Sequence, residues 1–448
     1  MNNKLPLAIP PLLISNENPF DGDLLDRAKL AARITDYIDR LKIGAVLGID
    51  APWGEGKTWF GKNWANYLRS APFEHKVIFI DAFAQDYVED PFLLLAGEIT
   101  PALQDERGVS STLMESAIGV ARLLLPVGTK ALLNLAGRLA LGSADLSEEL
   151  KEAAKDASEG TVDATSKWIE KKLEDYSREK QSLDQFRDEL AKFAAAQKKP
   201  VVVFIDELDR CRPTFAVQLI ERIKHFFDVP NLVFVMLLNR EQLEHAIRGV
   251  YGGETDAATY LGKFVHLFLR LPRAGATANS NDLVTNFVSN VLGRYGLSND
   301  SKVCRDFRYE LSQWAVVLEM SLRDIERACA YFVIANVPKT ALIAYLIALK
   351  LKRPVLYSKL LKGKRSAHEE ARQLVSTFIK VKEVSSMNWP DLYFQAIYDL
   401  HSLQLGSSTQ ETPIFNKHSA DLFGNRGFDI DTSFARAFDK LDLPVEVS

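Results

Sequence analysis

Four short apolar runs limit what this chain can fold into: Gly44-Ala-Val-Leu-Gly-Ile-Asp50, Lys76-Val-Ile-Phe-Ile-Asp-Ala82, Val201-Val-Val-Phe-Ile205 and Leu232-Val-Phe-Val-Met-Leu-Leu238. None of them alternates polar with apolar residues, so each reads as a strand buried on both faces, which is the pattern of a parallel sheet. Helical spacing in the intervening segments makes the fold class α/β, a parallel sheet with helices on both faces. Ahead of the first run, Leu24, Leu25, Leu30, Ile34, Ile38 and Leu41 recur at helical intervals, which predicts an amphipathic helix over 21–41 beside that sheet. With 448 residues, 47% of them hydrophobic and 25% charged, the chain has the composition of a globular protein and the length for two or three domains.

The first run leads into Ala51-Pro-Trp-Gly-Glu-Gly-Lys-Thr58 and then into a helical pattern over Trp59–Leu68. A strand, a Gly-rich turn and a helix in that order form a phosphate-binding loop, or P-loop: successive backbone N–H groups and the helix N-terminus surround a phosphate, and glycines let the backbone approach closely. The candidate nucleotide-binding residues are Pro52, Trp53, Gly54, Glu55, Gly56, Lys57, Thr58 and Trp59, with Lys57 bridging the β- and γ-phosphates and Thr58 placing its hydroxyl on Mg²⁺. Ala51 stands where the usual pattern has its first glycine, a substitution that the position accepts while φ stays negative.

The third run ends in Asp206-Glu-Leu-Asp209, a carboxylate pair at the edge where a P-loop sheet presents its metal-side acid. Asp206 is the candidate metal residue beside Thr58, and Glu207 the candidate base for an attacking water. Asp209 and Arg210 belong either to the site or to a surface ion pair or cap on the exit turn. Asn239, which follows the fourth run, either senses the γ-phosphate or holds the attacking water, or else serves as a structural turn or helix cap. The cofactors that these residues call for are ATP and Mg²⁺. The phosphate loop and the carboxylate strand reinforce each other, because each is found in the context that the other needs.

Roughly a hundred residues separate the second and third runs, too many for a simple crossover, so 101–197 reads as a helical insertion. Within it Ile169, Leu173, Tyr176, Leu183, Phe186, Leu190 and Phe193 form the stripe of a long packed helix. The segment from Ile118 to Leu141 is interrupted by Arg122, Lys130 and Arg138, and its apolar runs fall short of the ~20 residues that a membrane span needs. Cys211, Cys304 and Cys329 lie far apart without metal-ligand spacing, which excludes a zinc site or disulfide framework and suits a reducing cytoplasm. The seven histidines show no ligand pair with supporting residues. No secretory signal is legible in the first residues. The small, polar stretch after Arg273 reads as a linker into a mainly helical C-terminal half.

With these residues in place, the chain resembles the KAP family of P-loop NTPases, in the STAND and AAA+ neighbourhood. The resemblance covers residues 18 to 335 and rests on Asn18-Pro-Phe-x-x-Asp23-x-Leu25, Trp53-Gly-Glu-Gly-Lys-Thr58, Asp81-Ala-Phe83, Asp90-Pro-Phe92, Asp206-Glu-Leu-Asp-Arg210, Asn239-Arg-Glu-Gln-Leu243, Tyr260-Leu-Gly-Lys-Phe264 and Leu271-Pro272. It implies an ATPase with a large insertion between the two phosphate-site motifs. In the family that insertion often carries membrane helices, an implication that this sequence does not support. The segment Ser321-Leu-Arg-Asp-Ile-Glu-Arg327 resembles the lid of these ATPases, which makes Arg323 a candidate for the γ-phosphate and Arg327 a weaker one. Their alternative is an i, i+4 network with Asp324 and Glu326. The implied domains are 1–100 with 198–275 as the NTPase core, 101–197 as the insertion, 276–370 as a helical lid-like domain, and 371–448 with its fold left open. Some members of the family resemble components of anti-phage defence operons.

Lys350, Lys352, Arg353, Lys359, Lys362, Lys364 and Arg365 occupy one acid-free span in a chain of net charge −4. Such a span either grips a nucleic-acid backbone or is a solvated or partner-docking face. Three functions are therefore weighed: an ATP-driven conformational switch that recruits protein partners, a nucleic-acid-dependent ATPase, and a nucleotide-stabilised scaffold with little hydrolysis. The switch is the expectation. In a homo-oligomer, Arg240, Arg248 and Arg270 are candidates for an arginine supplied to a neighbouring copy, and each also reads as a surface residue.

Overall fold

The computed structural model describes residues 14–41, 43–88, 90–102, 117, 181, 183–226, 228–273, 280–380, 387–406 and 430–442. The chain divides into two compact units, one of Ile14–Pro52 with Lys57–Leu271, the other containing Trp53–Gly56 and Pro272–Ser448.

The first unit is built on a parallel sheet of five strands in the order β2-β3-β4-β1-β5. Its strands are β1 (Ala45–Asp50), β2 (Val77–Asp81), β3 (Val201–Asp206), β4 (Leu232–Leu238) and β5 (Leu267–Arg270). Four of them are the predicted runs. The fifth is an addition: four residues with half-exposed side chains leave no buried apolar run to read. Successive side chains point to opposite faces, so each strand feeds two cores. Ile78, Val203, Phe234 and Met236 face helices α3 (Pro91–Ala102), α4 (residues 183–196) and α5 (Pro213–Ile223). Leu47, Phe204, Val235 and Leu237 face α1 (Arg27–Ile38) and α2 (Lys57–Arg69). α6 (Arg240–Tyr251) and α7 (Ala257–Leu261) complete the first of these layers.

Helix α1 begins six residues later than the hydrophobic spacing suggests. The Asp23 carboxylate accepts from Leu25 N–H at 3.0 Å and Ala28 N–H at 2.8 Å, and Asp26 sits at φ 55°, so the turn before Arg27 is fixed outside the helix. The Asn18-Pro-Phe20 segment is pinned to α2. Phe20 N–H donates to Asn63 Oδ1 at 2.9 Å, and its ring packs on Trp59, Phe60 and Tyr67. Of the insertion's helical stripe, Phe186, Leu190 and Phe193 are buried in α4; Ile169, Leu173 and Tyr176, like Ile118–Leu141, lie outside the described residues.

The described parts of the second unit after Pro272 are helical: α8 (Ser280–Arg294), α9 (Lys302–Val317), α10 (Leu322–Ala335), α11 (Ala341–Lys352), α12 (Pro354–Leu361), α13 (Arg365–Ser376), α14 (Trp389–Gln404) and α15 (Ile430–Asp442). Its core includes a polar chain: Trp314 Nε1 donates to Tyr393 Oη, and Tyr393 Oη donates to the Ala341 carbonyl. Beside it, the Tyr345 hydroxyl meets His401 Nε2 at 2.8 Å, and the Nδ1 atoms of His401 and His368 lie 2.9 Å apart. No described helix is long and apolar enough to cross a membrane, and the three cysteines are free and buried.

Candidate nucleotide site

β1 carries the chain to Ala51, which is buried and whose N–H donates to the Leu238 carbonyl at the end of β4. Ala51 is absent from the positive-φ positions, while Gly54 (φ 85°) and Gly56 (φ 73°) take the two left-handed positions of the loop. Lys57 opens α2, and its Nζ donates to the carbonyls of Ala51 at 2.8 Å and Pro52 at 3.3 Å. Burial is the main influence on this ammonium and lowers its pKa, against the opposing pull of Asp209, Asp206 and Asp50.

Thr58 hydrogen-bonds through its side chain to Asp206, the last residue of β3. That carboxylate is 2% exposed. Burial raises its pKa to about 6, countered by hydrogen bonds from Thr58 and from the Glu207 N–H at 2.8 Å. The phosphate loop and the carboxylate strand, separate motifs in the sequence, thus meet through their side chains. Among the described residues no cluster of three or more His, Cys, Asp or Glu side chains is placed to hold a metal. The Thr58 hydroxyl and Asp206 carboxylate are hard oxygen donors, a pair that fits Mg²⁺ sharing its other positions between phosphate oxygens and water.

Glu207 adopts a left-handed backbone (φ 58°, ψ 23°), uncommon for a side chain of its kind, and its carboxylate pairs with Arg210 at 3.2 Å. The choice left open for Arg210 therefore resolves to an ion pair whose partner is the candidate base. Asn239 caps α6, its side chain accepting from Gln242 N–H at 3.5 Å, which leaves its amide nitrogen uncommitted by that cap. Asp50 is a site residue that no sequence motif singled out. Its Oδ1 accepts from Arg240 N–H at 2.9 Å and ties the end of β1 to the start of α6. An acid closing an apolar strand just before the loop was the available signal. Arg240 also pairs with Glu244 and lies over the Phe268 ring, and Arg248 shares Glu244.

In the second unit, the loop tip has partners of its own. Arg323 N–H donates to the Gly54 carbonyl at 3.1 Å, and a Cβ on Gly54 would stand 2.8 Å from both Arg323 Cβ and Ser321 Oγ. Glu55, 3% exposed, pairs with Arg273 at 3.2 Å. Ser321 and Asp324 form a reciprocal capping box on α10, a signature legible as Ser-x-x-Asp. Asp324 also pairs with Lys352, and Glu326 with Arg294. The acids expected to occupy Arg323 and Arg327 are thus committed elsewhere, and both arginines are exposed with no charged partner among the described residues.

The sequence profile described as the KAP family P-loop domain matches residues 27–336. This chain belongs to the KAP family of P-loop NTPases. It is also 25% identical over 122 residues to the phage T7 exclusion protein of Escherichia coli K12, a match that covers 26% of this chain and 16% of that relative. Among solved structures it is similar to the Aeropyrum pernix ORC2 protein in its ADPNP–ADP complexes, at 12% identity and TM-score 0.32, covering 97% of this chain and 96% of that one. PCH-2 of C. elegans aligns at 13% identity and TM-score 0.29, over 75% of this chain and 68% of its own. The KAP assignment carries nucleotide binding with it.

Proposed function

We propose that this KAP protein binds ATP with Mg²⁺, hydrolyses it slowly, and uses the nucleotide state as a conformational switch that recruits protein partners. The observation that carries the reading is the hydrogen bond between Thr58, at the end of the phosphate loop, and the buried Asp206 at the end of β3. In this reading the loop from Pro52 to Trp59 holds the phosphates, with Lys57 bridging β and γ, as its desolvated ammonium on loop carbonyls supports. Thr58 and Asp206 would hold Mg²⁺, which supplies charge neutralisation for the departing phosphate. Glu207 orients the attacking water and takes its proton. The Glu207–Arg210 pair supports a slow basal rate, since the carboxylate has to leave the guanidinium to reach water. Asn239 and Arg323 are assigned to the γ-phosphate, the arginine being supported by its lack of a charged partner.

The relative's name as a phage exclusion protein supports a place for this switch in anti-phage defence. Phosphate release from ATP and Mg²⁺, followed beside nucleotide binding, tests the assigned roles. Lys57→Ala loses binding; Glu207→Gln keeps ATP–Mg²⁺ affinity within about threefold and loses turnover by at least 100-fold, the scale of a removed catalytic base. Equal loss of affinity in both variants contradicts the roles. The same two variants expressed in bacteria lose protection against phage plating, and protection retained by both separates the ATPase from defence.

A further inference from the structure

The structure sorts the seven cations of 350–365 into two groups. Lys350 is engaged by Asp442 and the Leu441 carbonyl, Lys352 by Asp324 and the Glu319 carbonyl, Lys359 by Glu370, and Arg365 by the Leu405 carbonyl. Arg353, Lys362 and Lys364 are exposed and have no acid partner among the described residues. Two of these three line one concavity of about 330 Å³ at the corner between α12 and α13, together with Lys359, Ser358, Pro354 and Val355. No carboxylate stands on its wall, and the first turn of α13 contains no acid. Lys359 has its counter-ion in Glu370, but Lys362 and Lys364 share the hollow with it and have none among the described residues, so like charges repel there and an anion placed between them relieves that repulsion.

From this we infer that the α12–α13 corner is a binding site for the phosphate backbone of a nucleic-acid strand, independent of the nucleotide loop. The hollow lies at the lower end of the size range of small-ligand sites, room for one phosphate–sugar unit, but it is open: Val355 is 68% exposed and Leu361 45%. A free metabolite needs most of its surface enclosed, whereas a strand passes across an open site and leaves it on both sides. A bilayer is disfavoured, because Leu356, Tyr357 and Leu360 of α12 are buried in the core and leave only Val355 and Leu361 of its large apolar side chains to enter one, a small area for an interfacial helix. The chain's net charge of −4 makes the contact local. It is also weak and salt-sensitive, since only three cations are free to release counterions.

The test is fluorescence anisotropy of a labelled single-stranded DNA oligonucleotide with the full chain, without ATP, from 50 to 200 mM salt. Three phosphate contacts on a single strand give a log–log salt slope of about −2, so affinity falls roughly 15-fold over that range. The triple variant Arg353→Ala, Lys362→Ala, Lys364→Ala weakens binding at 50 mM salt by at least tenfold and flattens the slope, while Lys362→Arg with Lys364→Arg retains binding. Unchanged binding in the triple variant overturns the site, and so does no binding at 50 mM salt with 100 μM protein. Displacement by poly-glutamate at equal charge as effectively as by DNA assigns the corner to an acidic protein instead. Sedimentation with vesicles containing phosphatidylserine, lost in the triple variant and seen without oligonucleotide binding, assigns it to a membrane.

Discussion

Asp206 carries a charge that its surroundings disfavour. Burial raises its pKa from 3.8 to about 6, the hydrogen bonds from Thr58 and Glu207 N–H recovering only part of the loss. A native carboxyl that holds its proton more tightly than the unfolded one stabilises the fold least when both are ionised, so stability from this group falls as pH rises from about 4 to about 6. A rise of this size corresponds to about 3 kcal/mol. Asp206→Asn removes that charge while keeping an acceptor for Thr58, at the loss of an attraction to Lys57. Without metal or nucleotide, the variant is expected to be about 1–3 kcal/mol more stable than wild type at pH 7.5 and equal to it near pH 4, as read from urea unfolding. Equal stability at pH 7.5 would show that the site carries no such cost. Asp206 was legible because an acid ending a buried strand has few other reasons to be there. The partner of Arg210 was not: it depends on the left-handed turn at Glu207, a backbone state that no side-chain pattern specifies. Nor was the liberty of Arg323, because Lys352 and Arg294, which claim the neighbouring acids, come from other helices.

At the scale of elements, the spacing between α2 and the sheet is set by a single missing Cβ. One added at Gly61 would stand 2.1 Å from Leu237 Cδ1 on β4, a side chain that is itself fully buried. Glycine inside a helix costs up to about 1 kcal/mol relative to alanine, and overpacking costs about 1–3 kcal/mol, so the second effect decides the outcome here. Gly61→Ala is expected to destabilise the chain by about 1–2 kcal/mol. In a Leu237→Ala background, itself about 2–5 kcal/mol less stable, the same substitution should stabilise, because only the propensity gain remains. A double-mutant cycle in urea checks this change of sign, and additive effects would place the clash elsewhere. Four strands and α2 were readable because strands buried on both faces leave unbroken apolar runs, and helices leave a 3.6-residue period. β5 left neither, being short and half-exposed at the sheet's edge. The start of α1 was hidden because Asp23 caps from outside a hydrophobic pattern that runs straight past it.

Over the whole molecule, buried titratable groups give stability a shape in pH. His401 is fully buried and its pKa is lowered to about 3, chiefly by desolvation and further by His368, so it stays neutral in the fold. The unfolded chain then binds the extra proton below about 6.5, and stability from this group falls as pH drops through that range. Glu310 acts in the opposite direction. Burial raises its pKa to about 8, against the hydrogen bond from Thr340, and stability from it falls as pH rises from about 4.5 to about 8. Between about 4.5 and 6.5 the two slopes cancel, leaving Asp206; above 6.5 Glu310 acts alone among these three. The remaining interval of about 1.5 in pH corresponds to about 2 kcal/mol. None of this was legible in the sequence, where Glu310 and His401 sit in ordinary helical segments and only long-range packing buries them. The wild-type chain is therefore expected to lose about 2 kcal/mol of unfolding free energy between about pH 6.5 and 8, and Glu310→Gln to lose little over the same interval. The variant keeps an oxygen acceptor for Thr340 and has no proton to give up. Parallel pH profiles for the two proteins would mean that Glu310 ionises in the fold as easily as in the unfolded chain, with water or a cation reaching it.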